Sequence, residues 1–459
     1  MKSGGEASDL AGRPPAGPAK HPGGPSFLVI GAPRSGTTWL KKALRAHSGV
    51  RLPPGEPEYF AKGLEAELDR YLALFPREQE PAAGPPIVFG DKSPASLKMT
   101  DERIARCAAL YPELRLICLV REPVSRAWSH LMMVTRGEPA ASDLKRGAFQ
   151  PLLQDAIDYG RYRRHLRRWA AHFPAEQFLL VDFEQILDAP EAVFSDVLRH
   201  IGARPEPLRH ASVRSWTAAP PREIALVLEA ELDGEMHRAA GLRGVVEEAA
   251  ELAFAARARA VASGLDPADA EIAAWRRRLA GQPDSLDARQ RLAELLMDRA
   301  PAEAADILHG LARDQPGGTS TWRQLAAAWN AAGEAEAELD ALRRVGALGA
   351  LDPQEQGRLA RLLSAGGRHE EAARSLRALA EETPGSLEAW RRLADALRRA
   401  EDAEGELIAV ERALGLDPGD GKVRGRVAVL LLKLGRVDEA QAQLELLRAA
   451  RRGDDRAQA

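Results

Sequence analysis

Cysteine is almost missing from this chain: its 459 residues include two, Cys107 and Cys118. Two thiols exclude a disulfide framework and most cysteine-rich metal sites. Their spacing suits neither a metal pair nor a bridge, and Cys118 falls inside an apolar run. No stretch of 18 consecutive apolar residues occurs, which excludes a transmembrane helix. Aromatic residues are sparse at 5%, and lysine is scarce, with ten against 54 arginines. That skew is expected of a GC-rich bacterial genome. It makes arginine the default cation, so an arginine cluster alone carries little weight. Neither sign of charge prevails: 64 basic and 67 acidic residues leave a net charge of -3. No global field draws the protein to nucleic acid or membrane, and any anion site must be local. The first 25 residues hold six Gly and five Pro and no apolar core, unlike a signal peptide or an anchor. They are expected to form a disordered tail on a cytoplasmic protein.

What is present is the balance of a folded soluble protein, 45% hydrophobic and 29% charged. The length exceeds one ordinary hydrophobic core, so two or three domains are expected. Up to about residue 245, short apolar strands alternate with amphipathic helices. Residues 26–30, 87–89, 114–120 and 177–183 read as buried strands, and 38–46, 64–75, 101–110 and 125–134 as helices. Such alternation implies a mostly parallel sheet covered on both faces, with ligands at the carboxyl ends of its strands.

Beyond about residue 284 the strand pattern stops and a period begins. Leu-Ala pairs start at Leu292, Leu325, Leu359 and Leu393, and Val427-Ala428 continues them, at spacings of 33, 34, 34 and 34. Trp322 and Trp390 are 68 apart, as are successive members of Ala304, Ala372 and Ala440, while Pro316, Pro384 and Pro418 close units. A 34-residue period with these features resembles the tetratricopeptide repeat. Each helix pair cannot bury its apolar face alone, so the units are expected to stack into a superhelix whose groove takes a protein or peptide partner.

The chemistry concentrates in two segments. The first strand runs into Gly31-Ala32-Pro33-Arg34-Ser35-Gly36-Thr37-Thr38-Trp39 and then a helix. Glycines permit a tight turn in which successive N–H groups and a helix N-terminus face one anion. Thr37 stands where the Walker pattern needs lysine, and the cation, Arg34, has moved into the loop. That disfavours a magnesium-dependent kinase or triphosphatase. The second segment is "LRLICLVREPVSRAWSH". Arg121 ends its strand beside the loop, and Ser129 lies on the following helix, so the pair can hold a second phosphate.

At these segments the chain resembles the sulfotransferases that use 3′-phosphoadenosine 5′-phosphosulfate. "GAPRSGTTWL" matches the 5′-phosphosulfate loop, and "REPVSRAWSH" matches the 3′-phosphate segment. The resemblance implies that Arg34, Ser35, Gly36, Thr37 and Thr38 bind the phosphosulfate, with Trp39 a candidate adenine contact, and that Arg121 and Ser129 bind the 3′-phosphate. "GEPEYF", "DKSP" and the stretch after Phe173 look like the glycan and heparan branch. That branch implies Glu56 as general base, Glu58 being its rival, and Lys92 beside the sulfuryl group with Arg34. Ala95 and Ser96 replace an aromatic common after that lysine. "VRSWTAAPPRE", with Arg214, lies where the branch carries a lysine- and glycine-rich loop, but lacks that signature. His47 and His130 are the histidines available as an alternative base, and neither lies in a catalytic loop. "RYRRHLRR" reads as a solvated helix face rather than an anion site.

The expected fold is an α/β P-loop-like domain with a mostly parallel sheet, followed by an all-α tetratricopeptide superhelix. Its expected parts are a disordered tail over 1–25, the sulfotransferase domain over 26–245 and a helical linker or cap over 246–284. About five repeats over 285–452 and a short disordered tail over 453–459 follow. The expected activity moves a sulfuryl group to an acceptor hydroxyl, glycan before peptide tyrosine or small alcohol, without a metal. The alternative is a scaffold whose sulfotransferase-like domain has lost activity.

Overall fold

The computed structural model describes residues 23–62, 67–75, 87–209, 219–232, 234–235, 238–314 and 318–458. They form two compact units. One comprises the described residues up to Pro139 and from Asp155 to Leu295; the other comprises Ala140–Gln154 and those from Leu296 onward.

The first unit is built on five strands: β1 (Phe27–Gly31), β2 (Val50–Arg51), β3 (Val88–Lys92), β4 (Arg115–Val120) and β5 (Phe178–Asp182). Every pairing is parallel, in the order β2-β3-β1-β4-β5. The central strands are continuous apolar runs because both of their faces are covered. In β1, Leu28 and Ile30 join one core while Phe27 and Val29 join the other. In β4, Leu116, Cys118 and Val120 face the first core, and Ile117 and Leu119 the second. β2 has two residues, too few for any apolar pattern to reveal it.

Helices fill both faces, beginning with α1 (Thr37–Ala46), α2 (Tyr59–Lys62), α3 (Leu68–Leu72), α4 (Asp101–Leu110) and α5 (Pro123–Val134). α6 (Gln150–Asp158), which belongs to the second unit up to Gln154, precedes α7 (Tyr162–Ala170). Then come α8 (Phe183–Asp188), α9 (Pro190–Ile201), α10 (Arg222–Leu232), α11 (Ala239–Ser263), α12 (Pro267–Gly281) and α13 (Leu286–Leu296). α11 runs unbroken through residue 245, where the sequence pattern set a domain boundary. Its Leu242, Val246, Ala249 and Ala250 complete the first core, which explains why it stays with the sheet.

The arginine-rich helix α7 is not a solvated face. Arg163 and Arg167 pair with Asp287, and Arg164 pairs with Glu294 at 2.5 Å, both acids on α13. Arg291 of α13, 2% exposed, binds Asp101 through two nitrogens at 2.8 and 2.9 Å and Glu271 at 2.9 Å.

The second unit is all helical: α14 (Pro301–Asp314), α15 (Thr319–Ala332), α16 (Ala335–Leu348), α17 (Pro353–Ala365), α18 (His369–Glu382), α19 (Leu387–Arg399), α20 (Ala403–Leu416), α21 (Gly421–Lys433) and α22 (Val437–Gln458). Consecutive helices pack on one another. The periodic positions are structural: Ala304, Ala372 and Ala440 are fully buried where helices touch, and Leu325, Leu393 and Val427 are buried beside them. α22 continues past residue 452, at which the repeat pattern ended. Residues 140–154 pack on this unit too. Gln154 Nε2 donates to Thr319 Oγ1 at 3.5 Å, and a Cβ added to Gly147 would meet the Leu351 carbonyl at 2.8 Å.

Candidate active site

The carboxyl ends of β3, β1 and β4, three neighbouring strands, carry the candidate residues. β1 delivers Gly31 into the loop that opens α1. Gly36 caps that helix at φ 95, in the left-handed region. A Cβ there would lie 2.8 Å from Ile186 Cδ1, so the turn requires glycine twice over. No side chain caps α1, and its first turn holds no acid. Its leading N–H groups therefore remain available to an anion. Arg34 takes a left-handed φ of 69, and it and Thr38 are exposed while Ser35 and Thr37 are buried.

β4 delivers Arg121. Its backbone is clamped from both sides by Tyr162, whose hydroxyl donates to Arg121 O at 2.9 Å and accepts from Arg121 N at 3.2 Å. Glu122 caps α5 through Val124 N and Ser125 N at 2.8 and 2.7 Å, and Pro123 occupies the first turn. The Arg121 guanidinium lies over the Phe183 ring at 4.7 Å and donates to Arg34 O at 3.3 Å. Burial pulls it below its ordinary pKa. Arg34 Nε in turn donates to Ser129 Oγ at 3.0 Å. The loop cation, the strand-end cation and the helix serine thus converge.

β3 delivers Lys92, buried, whose Nζ pairs with Glu56 Oε1. Glu58 pairs instead with Lys62 at 2.5 Å, one helical turn away. Trp39 lies in the first turn of α1. It is 5% exposed within the core cluster of Leu40, Phe183 and Ile186, because it falls on the apolar stripe of α1. Its indole Nε1 is buried and makes no hydrogen bond among the described residues. Arg214 lies outside the described residues.

His47 holds a structural position. Its Nδ1 accepts from Gly49 N at 3.0 Å, so Nε2 carries the proton and donates to Arg204 O at 2.9 Å. Neither nitrogen is left for a substrate. His130 is buried, with Nε2 3.1 Å from Asp155 Oδ2 and its ring stacked on Tyr159. Sequence reasoning missed Arg126, which is fully buried and reaches Pro33 O at 3.5 Å and Ala156 O. It also missed Asp91 and Ser93, which flank Lys92. The residues themselves were in view in "DKSP", but their polar role appears only when β3 meets the Glu56 loop.

Among the described residues, no helix is long and apolar enough to cross a membrane. Residues 64–207 match the sulfotransferase family and residues 409–459 the tetratricopeptide repeat. The phosphosulfate-type loop and Glu56 precede the first matched span. Human heparan sulfate glucosamine 3-O-sulfotransferase 3B1 is 29% identical over 187 residues, 39% of this chain and 46% of that protein. Human heparan sulfate glucosamine 3-O-sulfotransferase 6 is 30% identical over 186 residues, 39% of this chain and 53% of that protein. The chain spans about half the length of these curated relatives. A solved sulfotransferase from Alicyclobacillus acidocaldarius is 18% identical, with a TM-score of 0.38, covering 50% of this chain and 96% of its own. The chain carries a sulfotransferase-family domain, with relatives among the heparan sulfate sulfotransferases, followed by tetratricopeptide repeats.

Proposed function

We propose that the protein transfers the sulfuryl group of 3′-phosphoadenosine 5′-phosphosulfate to an acceptor hydroxyl, with a glycan as the favoured acceptor. The carrying observation is the convergence of Arg34, Ser129 and Arg121 beside the Glu56–Lys92 pair. The donor supplies an activated sulfuryl group on a bisphosphate leaving group. The uncapped start of α1, with Ser35 to Thr38, suits its phosphosulfate end, and Arg121 with Ser129 suits a second phosphate. Glu56 takes the acceptor proton as general base, and Lys92 and Arg34 offset negative charge that builds on the transferring oxygens. The repeats are assigned to recruiting the acceptor or a partner protein. The two free cysteines, both buried, fit the cytoplasm as the working compartment.

Calorimetric titration with adenosine 3′,5′-bisphosphate, and separately with ATP–magnesium, tests the donor. The bisphosphate should bind and ATP–magnesium should not; the reverse would replace this reading with a kinase. Arg34→Ala and Arg121→Ala should each weaken bisphosphate binding by about 1.5–3 kcal/mol, the range for charge-assisted hydrogen bonds. Binding like the parent in both variants would sink the assignment. Turnover is expected to survive EDTA, because the loop has no Walker lysine–serine pair to organise a magnesium nucleotide. Activity abolished by EDTA and restored by magnesium would contradict this.

A further inference from the structure

The loop that carries Glu56 is pinned through its main chain on both sides. Before Glu56, Lys41 Nζ donates to Gly55 O and Arg45 Nη2 donates to Pro53 O at 2.5 Å. Both cations stand on α1, one turn apart. After Glu56, the N–H of Glu58 donates to Ser93 Oγ at 2.9 Å. Ser93 is buried and has one hydroxyl proton to give. Asp91 receives it: Ser93 Oγ donates to Asp91 Oδ1 at 2.8 Å, while Tyr71 OH donates to Oδ2 at 2.9 Å. An ionised carboxylate only accepts. The Ser93 proton is therefore committed inward, and its lone pairs are turned to the Glu58 N–H.

Two further observations argue against plain packing. Glu58 sits at φ 50, left-handed and sparsely populated for a residue with a side chain. The turn that follows Glu56 therefore needs support from outside itself. Asp91 is fully buried. Burial pushes its carboxyl up to about 6 against the hydrogen bonds from Ser93 and Tyr71, and the Glu56 charge adds to the rise while Lys41 opposes it. A carboxylate kept in the core at that cost needs a task that an apolar residue could not do.

We propose that Ser93, oriented by Asp91, is a positioning residue that holds the Glu56 loop in its working orientation. This rests on the sulfotransferase reading above. Neither residue touches the Arg34 loop or Arg121 in the contacts described, so the effect falls on turnover and not on donor affinity.

The test compares the full-length parent with Ser93→Ala and Ser93→Thr. Sulfate transfer from labelled 3′-phosphoadenosine 5′-phosphosulfate to heparan sulfate gives kcat and the donor KM. Hydrogen exchange of the peptide spanning residues 56–60 reports the Glu58 amide. Ser93→Ala is expected to lower kcat about 10–100-fold, the scale of a small misplacement of a catalytic group, with donor KM unchanged and faster exchange. Ser93→Thr keeps the hydroxyl and should restore most of the rate and the protection. Parental kcat and exchange in Ser93→Ala would overturn the proposal. So would equal losses in both variants with a raised donor KM, which would mean lost packing. A parent that neither binds adenosine 3′,5′-bisphosphate nor transfers sulfate refutes the sulfotransferase reading instead. The exchange comparison still decides in that case whether Ser93 holds the loop.

Discussion

Glu56→Gln is expected to lower sulfuryl transfer about 10²–10⁴-fold, the usual contribution of a positioned general base, with bisphosphate affinity unchanged. The amide keeps the size of the side chain and can still accept a hydrogen bond from Lys92, so a lost rate reports lost basicity. Glu58→Gln should be mild, because the Glu58 carboxylate is engaged with Lys62 and not with Lys92. Single-turnover rates for both variants, beside calorimetry with the bisphosphate, give the comparison. If Glu58 proved critical and Glu56 dispensable, the assignment would be off by two residues. If neither mattered, His130 would be the next base to test. His47 would not, since both of its ring nitrogens are engaged with the backbone.

Arg291→Met should destabilise the first unit by about 3–5 kcal/mol, the cost of breaking a buried ion pair from one side. The variant strips a buried guanidinium from Asp101, Glu271 and Glu294. Burial alone would raise the Asp101 carboxyl; hydrogen bonds from His172 and Arg291 outweigh it and hold it well below the usual range. A carboxyl depressed in the folded state contributes stability above its unfolded pKa, and that contribution is lost as pH falls. The deficit of Arg291→Met should therefore be full at pH 7 and shrink below about pH 4, the carboxylate range of the unfolded chain, as the Asp101 contribution is lost. Urea unfolding at both pH values checks it, and an equal deficit at each would show that the loss is one of packing alone.

These contrasts also mark what could be read before folding. The buried strands were legible because parallel strands covered on both faces leave unbroken apolar runs, as in "FLVIG" and "LICLV". Arg121 and Ser129 lie 87 and 95 residues from Arg34. Their convergence was legible because a parallel sheet gathers the segments after its strands at one edge, and both segments resemble known motifs. The α7 arginines were misjudged as solvent-facing. Their partners Asp287 and Glu294 lie more than a hundred residues away, and local charge patterning cannot see a partner at that distance. Trp39 was read by its motif neighbours, whereas the helical stripe it sits on decides its burial. The Asp91–Ser93–Glu58 relay joins the end of β3 to the Glu56 loop and leaves no periodic trace in either.

The placement of residues 140–154 bears on how the protein is made. This stretch is synthesised in the first third of the chain, yet Gln154 meets Thr319 across 165 residues and Gly147 fits against Leu351 and Glu382, later still. At roughly 5–20 residues per second, the stretch leaves the ribosome roughly ten to thirty seconds before its first partner exists. During that interval Phe149, buried in the finished protein in a turn that packs on α18, stays without that helix. Completion of the second unit is thus a late event in biosynthesis. A nascent chain stalled before residue 319 would display an apolar segment for chaperones to hold.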